Sequence, residues 1–383
     1  MLDGKILIEI RKAGFVNKGA ELMLYAVLDR LRQEFPDAKF VMETSQNAPY
    51  EKRALLGFYQ KPRLSILGVQ LGVVFKLIPS IIKKKFGVID DIDIDIVIDA
   101  AGFSYSDQWG AGSSRELANS SKRWKKNGTR VILLPQAFGP FKGSKIQKYI
   151  KEAVSNTDLV FARERISYEH LVGVVGEYSS LKMAPDFTNL IVGEVPKNFD
   201  TVNCKFCLVP NYRMIDKTSN EQSEAYLPFM IRCVKYLVGK GQKPFILVHE
   251  GENDLLLADA ISKAVGGFLP IVKEENPLRI KGILGVCEGT IGSRFHGLVS
   301  ALSQGVPSLG TGWSHKYQEL FDDYGFSAGL LDVSCSVQEL YEKLDLVIDS
   351  NSKEIIKARI QRNSETLKIQ SERMWAEVLG VLK

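Results

Sequence analysis

Gly292-Ser293-Arg294-Phe295-His296-Gly297 sets an arginine and a histidine two positions apart in a turn with glycine on both flanks. Arginine carries a fixed fork of donors that matches a carboxylate or a phosphate, and histidine holds or moves a proton near neutral pH. An apolar run ending near Cys287 precedes the turn, and a small-residue segment, Leu298 to Gln304, follows it, so the order reads strand, tight turn, helix. That geometry aims free backbone N–H groups at an anion. Alone, the hexapeptide fits a satisfied surface arginine and histidine equally well. A second element weighs against that reading: Val306 to Gly310 reads as a short strand, and Ser314-His315-Lys316-Tyr317 as the helix start after it. Two successive βα units thereby bring Arg294, His296 and Lys316 to one sheet edge.

The elements needed to position such an edge recur along the chain. Lys5 to Ile10 is a short apolar run suited to a buried parallel strand, and it leads through Gly14-Phe15-Val16-Asn17-Lys18-Gly19 into helical spacing from Ala20 to Phe35. Asn17 and Gly19 stand at that helix start, either as a plain N-cap and turn glycine or as contacts for a substrate's hydroxyls. Lys39 to Met42 reads as the next strand. Asp91 to Asp99 alternates carboxylates with isoleucines, which predicts a strand whose first part has a solvated acidic face. It ends in Asp99-Ala100-Ala101-Gly102-Phe103, where small residues let backbone approach a ligand. Ser104, Ser106, Asp107 and Gln108 follow, polar groups of the kind that hold sugar hydroxyls. Arg130 to Leu134 is a strand leading into a proline-rich loop, Pro135 to Phe141. Asp158 to Ala162 leads to Arg163-Glu164-Arg165, with Arg163 the more inward of the two arginines, and Met183 to Phe187 reads as a final short strand.

A polar stretch, Gly193 to Asn203, reads as a linker, after which the rhythm restarts with strands over Phe206 to Val209, Pro244 to Val248 and Phe268 to Val272 and helices over Glu221 to Val238 and Asp254 to Val265. The expected organisation is α/β: a Rossmann-like domain over 1–195, a second over 203–351, and a terminal helix over 352–383. Two such halves imply a cleft between facing sheet edges.

Composition narrows the function. A net charge of +5 over 383 residues is too mild for a nucleic-acid binder and better suits an anionic substrate or membrane surface. Five scattered cysteines argue against a disulfide framework and for a reducing compartment. Cys204 and Cys207 fall inside an apolar strand, facing opposite ways, and read as buried small residues rather than metal ligands. Met1 to Ile10 lacks the regions of a secretory signal, so a cytoplasmic protein is expected. Residues 64–86 are aliphatic and end in Lys83-Lys84-Lys85; they read either as a helix packed on the sheet or as an interfacial element on an anionic membrane.

Taken in order, these segments resemble the polysaccharide pyruvyl transferase family over roughly Asn17 to Gly325. Asn17-Lys18-Gly19-Ala20-Glu21 resembles its opening glycine turn, with Ala20 where an acidic residue is usual. Asp95 to Gly102 resembles its strand and glycine-rich loop, with Ala100 and Ala101 at glycine positions. Pro135 to Phe141, Arg163-Glu164 with Ser167, and Asp186-Phe187 also match, and Ser293-Arg294-Phe295-His296-Gly297 with Pro307 and Lys316 matches most specifically. The resemblance implies a fold similar to the two-domain glycosyltransferase-B arrangement, with acceptor side first and donor side second. It implies transfer of a pyruvyl group from phosphoenolpyruvate to a sugar as a cyclic ketal, using no metal or other cofactor. Arg163, Arg294 and His296 match positions used around phosphoenolpyruvate, with Lys316 as helper and Arg294 and His296 nearest the chemistry. Asn17, Gly19, Gly102, Ser104 and Asp107 are the acceptor candidates, and the acceptor is a sugar or glycan, lipid-linked, nucleotide-linked or polymeric. His296 is either general acid or phosphate ligand. Two other readings stay open: a glycosyltransferase using a nucleotide-activated sugar, and a non-catalytic assembly protein of a glycan pathway.

Overall fold

The computed structural model describes residues 5–62, 65–66, 69–70, 78–312 and 314–383. The chain divides into two compact units, Met1–Phe187 with Glu372–Lys383, and Thr188–Ser371.

The first unit opens with β1 (Leu7–Arg11), α1 (Lys18–Glu34), β2 (Lys39–Glu43), α2 (Tyr50–Leu55) and β3 (Tyr59–Lys61). A short hairpin of β4 (Ser65–Ile66) and β5 (Val69–Gln70) and then α3 (Ser80–Phe86) follow. Next come β6 (Ile96–Asp99), α4 (Gly112–Lys126), β7 (Arg130–Gln136), α5 (Ser144–Ser155), β8 (Leu159–Ala162), α6 (Arg165–Val175) and β9 (Leu181–Met183). The strands form one parallel sheet in the order β3-β2-β1-β6-β7-β8-β9. β1 is buried along its whole length, as a strand covered on both faces must be, which fits Leu7, Ile8 and Ile10, while its buried Glu9 is paired with Lys61. α5 buries Ile146, Ile150, Ala153 and Val154, the three-and-four spacing of a helix with one apolar face.

The second unit contains β10 (Phe206–Val209), α7 (Arg213–Asp216), α8 (Asn220–Gly239), β11 (Pro244–Val248), α9 (Gly251–Ala264), β12 (Ile271–Lys273) and α10 (Pro277–Gly285). It continues with β13 (Gly289–Gly292), α11 (Phe295–Leu302), β14 (Ser308–Gly310), α12 (His315–Asp323) and α13 (Val337–Ile348). The last helix, α14 (Ser350–Leu382), runs on from it. Its parallel sheet is ordered β12-β11-β10-β13-β14. In both sheets the chain builds to one side of the first strand and then crosses to the other, leaving a switch point between β1 and β6 in one and between β10 and β13 in the other. Doubly wound sheets bind ligands outside the carboxyl ends of their strands at such points.

Several sequence expectations need correction. The apolar run before the Arg294 turn is the helix α10; the strand is β13, four residues that include two glycines and carry little β signal. Asp91–Asp93 is a single 3-10 turn, and Asp91 is not on a solvated face: it accepts from the Trp124 indole N–H at 3.0 Å and lies 2.8 Å from the Lys61 ammonium. β7 runs on through Pro135 to Gln136, where a register shift between Leu133 and Gln136 accommodates a residue with no N–H to give. The strand expected at Met183 to Phe187 lies earlier, as β9, and Phe187–Leu190 is a 3-10 turn. Cys204 and Cys207 are both buried. Within 64–86, residues 64, 67–68 and 71–77 lie outside the described ones. Among the described residues no helix is long and apolar enough to cross a membrane.

One close approach in the second unit tests this packing. A Cβ on Gly282 of α10 would overlap the backbone of Glu194, and one on Gly193 would overlap Gly282. Glu194 N–H donates to Leu278 O at 2.9 Å, so the two segments cannot part without losing that bond. Gly282→Ala is expected to destabilise the unit by about 1–3 kcal/mol, the scale for overpacking. Urea denaturation compared with an alanine at the open position Gly239 measures it.

Candidate active site

Four neighbouring strands of the second sheet deliver side chains to one carboxyl edge. β10 ends before Asn211, β11 before His249 and Glu250, β13 before Ser293 and Arg294, and β14 before Thr311. Arg294 is the extended residue that precedes the first turn of α11. The arginine is 8% exposed, and its fork is bonded within the chain. Nε donates to Asp254 Oδ2 at 3.0 Å, and Nη2 donates to Oδ1 and Oδ2 at 2.7 and 2.6 Å. Nη1 donates to Glu250 Oε2. Guanidinium has five N–H groups, so one on Nη1 remains outside these bonds. Burial pulls the Arg294 pKa down, but Asp254 and Glu250 outweigh it and leave it above the ordinary value. Asp254 itself is fully buried, and its Oδ1 also accepts the Tyr212 N–H at 2.9 Å.

Ser293 is the hub that fixes the turn across the switch point. Its carbonyl accepts from Asn211 Nδ2 at 2.7 Å and from the Tyr317 hydroxyl at 2.9 Å. Its hydroxyl lies 2.8 Å from Tyr226 Oη, which in turn accepts the Asn211 N–H at 3.0 Å. Burial pushes the Tyr226 phenol well above its ordinary range, so it stays a neutral hydrogen-bonding group. All four residues are buried.

On this base, the Phe295 ring meets His296 and Tyr317 edge-on, at centroid distances of 5.4 and 5.8 Å. The Lys316 ammonium sits 5.3 Å from the Phe295 centroid and 5.5 Å from that of Tyr317. Arg294, His296 and Lys316 therefore share one edge of the second unit, with His296 and Lys316 half-buried. His249 belongs to the same place: its Cδ2 lies 3.7 Å from where a Cβ on Gly297 would stand. His249, Glu250, Asp254, Asn211, Tyr226 and Tyr317 were not singled out by sequence. The legible signal was Val248-His249-Glu250-Gly251, a strand end with charge before glycine, the same pattern as at Arg294.

Arg163 is carried by the first unit, at the end of β8, with Nη1 3.2 Å from Asp186 Oδ2 and Nε 3.7 Å from Glu164 Oε2. The switch point of that sheet has its own buried arginine pair. Arg11 Nε donates to Asp99 Oδ2 at 2.9 Å, and Tyr105 Oη donates to the same oxygen at 2.7 Å. Arg11 also pairs with Glu116, and its guanidinium lies 5.0 Å from the Trp124 centroid. Asn17 accepts the Ala20 N–H at 3.0 Å, the N-cap of α1, and Gly19 is buried in its first turn. Gly102 has φ +66°, the left-handed region where glycine is at ease. Ser104 is half-buried, and the Asp107 carboxylate accepts the Lys142 N–H. Among the described residues no group of three or more His, Cys, Asp or Glu is placed to hold a metal.

Residues 17–315 match the polysaccharide pyruvyl transferase family. No curated protein matches the sequence. Among solved structures the chain is similar to a UDP-GlcNAc 2-epimerase of Neisseria meningitidis bound to UDP-GlcNAc, at 10% identity and TM-score 0.60, over 98% of this chain and 100% of that one. It is also similar to HepE of Anabaena in complex with UDP-glucose, at 13% identity and TM-score 0.58, over 97% and 99%. The Staphylococcus aureus MnaA–UDP structure gives 13% and 0.60, over 98% and 96%. At these identities the likeness shows the fold alone, the two-sheet α/β class of the glycosyltransferase-B type.

Asp254 is the test of this site's construction. Asp254→Ala leaves Arg294 buried with Glu250 as its ion-pair partner among the described residues, and breaking one side of a buried pair costs about 3–5 kcal/mol. Chemical denaturation of the variant is expected to show a loss on that scale, and a loss within about 0.5 kcal/mol, typical of surface changes, contradicts the pairing.

Proposed function

Because the chain belongs to the polysaccharide pyruvyl transferase family, we propose that it moves the enolpyruvyl carbons of phosphoenolpyruvate onto a sugar as a cyclic ketal and releases phosphate. The observation that supports this reading is the gathering of Arg294, His296 and Lys316 at one sheet edge beside a switch point. Phosphoenolpyruvate carries a carboxylate and a phosphate and requires several cations in one place. Lys316 supplies an ammonium, and Arg294 supplies its remaining Nη1 N–H while its carboxylate partners hold it still. His296 is the proton donor in this reading. The proton goes to the methylene carbon, C2 becomes cationic, and one sugar hydroxyl forms a C–O bond there as it loses its proton. The C2–phosphate oxygen bond then breaks, phosphate leaves, and a second hydroxyl closes the ketal. Arg163, assigned to phosphoenolpyruvate by the resemblance, is tested beside them as Arg163→Lys. The acceptor is assigned to the first unit's edge, where Gly102 and Ser104 lie; Asn17 and Asp107 act there through the cap and loop they fix.

A second reading has its own support. The similar structures hold UDP or UDP-sugars, so a glycosyltransferase using a nucleotide-activated sugar predicts tight UDP binding and none of phosphoenolpyruvate. Incubation with phosphoenolpyruvate and a glycan panel, following phosphate release and a pyruvyl mass shift, is expected to give both products. His296→Gln is expected to slow turnover by about 10²–10⁴-fold with donor affinity kept, the scale for losing a general acid. Parallel loss of affinity makes His296 a phosphate ligand instead, and wild-type behaviour removes it from the site.

We further propose peripheral membrane contact through α3. No residue of this helix is buried; Ile81, Ile82 and Phe86 are 80%, 46% and 59% exposed. A helix this short is marginal alone, and Lys84 and Lys85 beside its apolar residues fit an anionic lipid surface. Cosedimentation with phosphatidylglycerol vesicles is expected to weaken by about 1 kcal/mol for each of Lys84→Gln and Lys85→Gln. Binding indifferent to both changes and to lipid charge rejects the contact.

A further inference from the structure

The loop between β6 and α4 carries an aromatic side chain that the fold leaves in water. Trp109 is 48% exposed, whereas Trp124 and Trp375 are 0% and 1% exposed. The exposure is not that of a loose segment. Ala137 N–H donates to Gly102 O at 2.9 Å and Gly139 N–H to Tyr105 O at 2.9 Å, tying the loop to the strand end of β7. Asp107 N–H donates to Pro140 O at 3.0 Å while the Asp107 carboxylate holds the Lys142 N–H. Beneath, the fully buried Tyr105 stacks on Phe138, with centroids 6.0 Å apart and planes 15° apart, and donates to Asp99 at the switch point. Trp109 closes this fixed loop as the last residue of a 3-10 turn, and its ring meets that of Phe103 in a T-shaped contact, with centroids 6.2 Å and planes 78° apart. A Cβ on either Gly110 or Gly112, the next glycines along, would touch nothing.

Fixing a large aromatic ring half in water forgoes apolar burial that its own fold could have taken. A pyranose ring matches such a surface, because one face is a patch of C–H groups while its rim is hydroxyls. Ligand sites of this kind combine an aromatic wall with a few placed polar groups, and here Ser104 and the left-handed Gly102 turn lie in the same loop. We infer that Trp109, braced by Phe103, is the stacking surface for a sugar ring of the acceptor. The sugar as ligand class rests on the pyruvyl-transfer reading; the platform itself rests on the loop.

The test uses the full chain, Trp109→Ala, Trp109→Phe, and methyl glycosides of galactose, glucose, mannose and N-acetylglucosamine as probes. With phosphoenolpyruvate saturating, Trp109→Ala is expected to raise the acceptor KM about threefold to tenfold, the worth of one aromatic stacking contact. Its KM for phosphoenolpyruvate and its thermal midpoint are expected to stay at wild-type values, and Trp109→Phe to recover most of the acceptor KM. An acceptor KM unchanged in Trp109→Ala, while the wild-type protein makes ketal, overturns the platform and leaves the activity standing. If the wild-type protein makes no ketal on any of these glycosides, saturation-transfer NMR decides the platform separately. Saturation reaching a glycoside's ring protons from wild-type protein but not from Trp109→Ala supports it, and equal or absent transfer in both overturns it.

Discussion

A guanidinium with 8% of its surface in water needs carboxylates, and Asp254 and Glu250 supply them to Arg294. The local fold of the second unit follows from that requirement. Asp254 must lie in the first turns of α9, so β11 has to end where it does. Arg294 must be extended, so α11 starts at Phe295. Ser293, immediately before it, is clamped by Asn211, Tyr226 and Tyr317 from three other elements. The guanidinium thus sits at a switch point of the sheet, held by Asp254 and Glu250, while His296 and Lys316 gather around Phe295.

The first unit solves the same problem with different residues. Arg11 and Asp99 end adjacent strands on either side of its switch point, and Tyr105, Glu116 and Trp124 complete the enclosure. Such paired charges contribute little net stability over apolar packing, since desolvation offsets the attraction. They do fix backbone direction at the edge where loops begin, which is what a binding edge needs. The β6–α4 loop and its Trp109 grow directly from the Asp99 side of that pair.

Legibility in the sequence followed burial. Strands covered on both faces, such as Pro244–Val248 and Phe206–Val209, stood out as unbroken apolar runs, and the long helices by spacing. β13 was missed because Gly289-Thr290-Ile291-Gly292 offers one large apolar residue, while the neighbouring helix α10 has apolar residues enough to pass for a strand. Asp91 looked solvated because alternation cannot reveal Lys61 and Trp124, far away in sequence. Arg294, His296 and Lys316 were legible because glycines and helix starts mark them locally. Asp254, 40 positions from Arg294, was legible only as a helix residue, since a long-range pair leaves no local pattern.

The proposed reaction depends on phosphoenolpyruvate binding at the edge that holds His296 and Lys316. The most direct measurement is the phosphorus NMR line of phosphoenolpyruvate titrated with wild-type protein and with a His296→Gln, Lys316→Met double variant, whose half-buried changes leave the Arg294–Asp254 pair intact. Broadening with the wild-type protein, lost with the double variant, is expected. Equal broadening by both, or none by the wild-type protein, contradicts it.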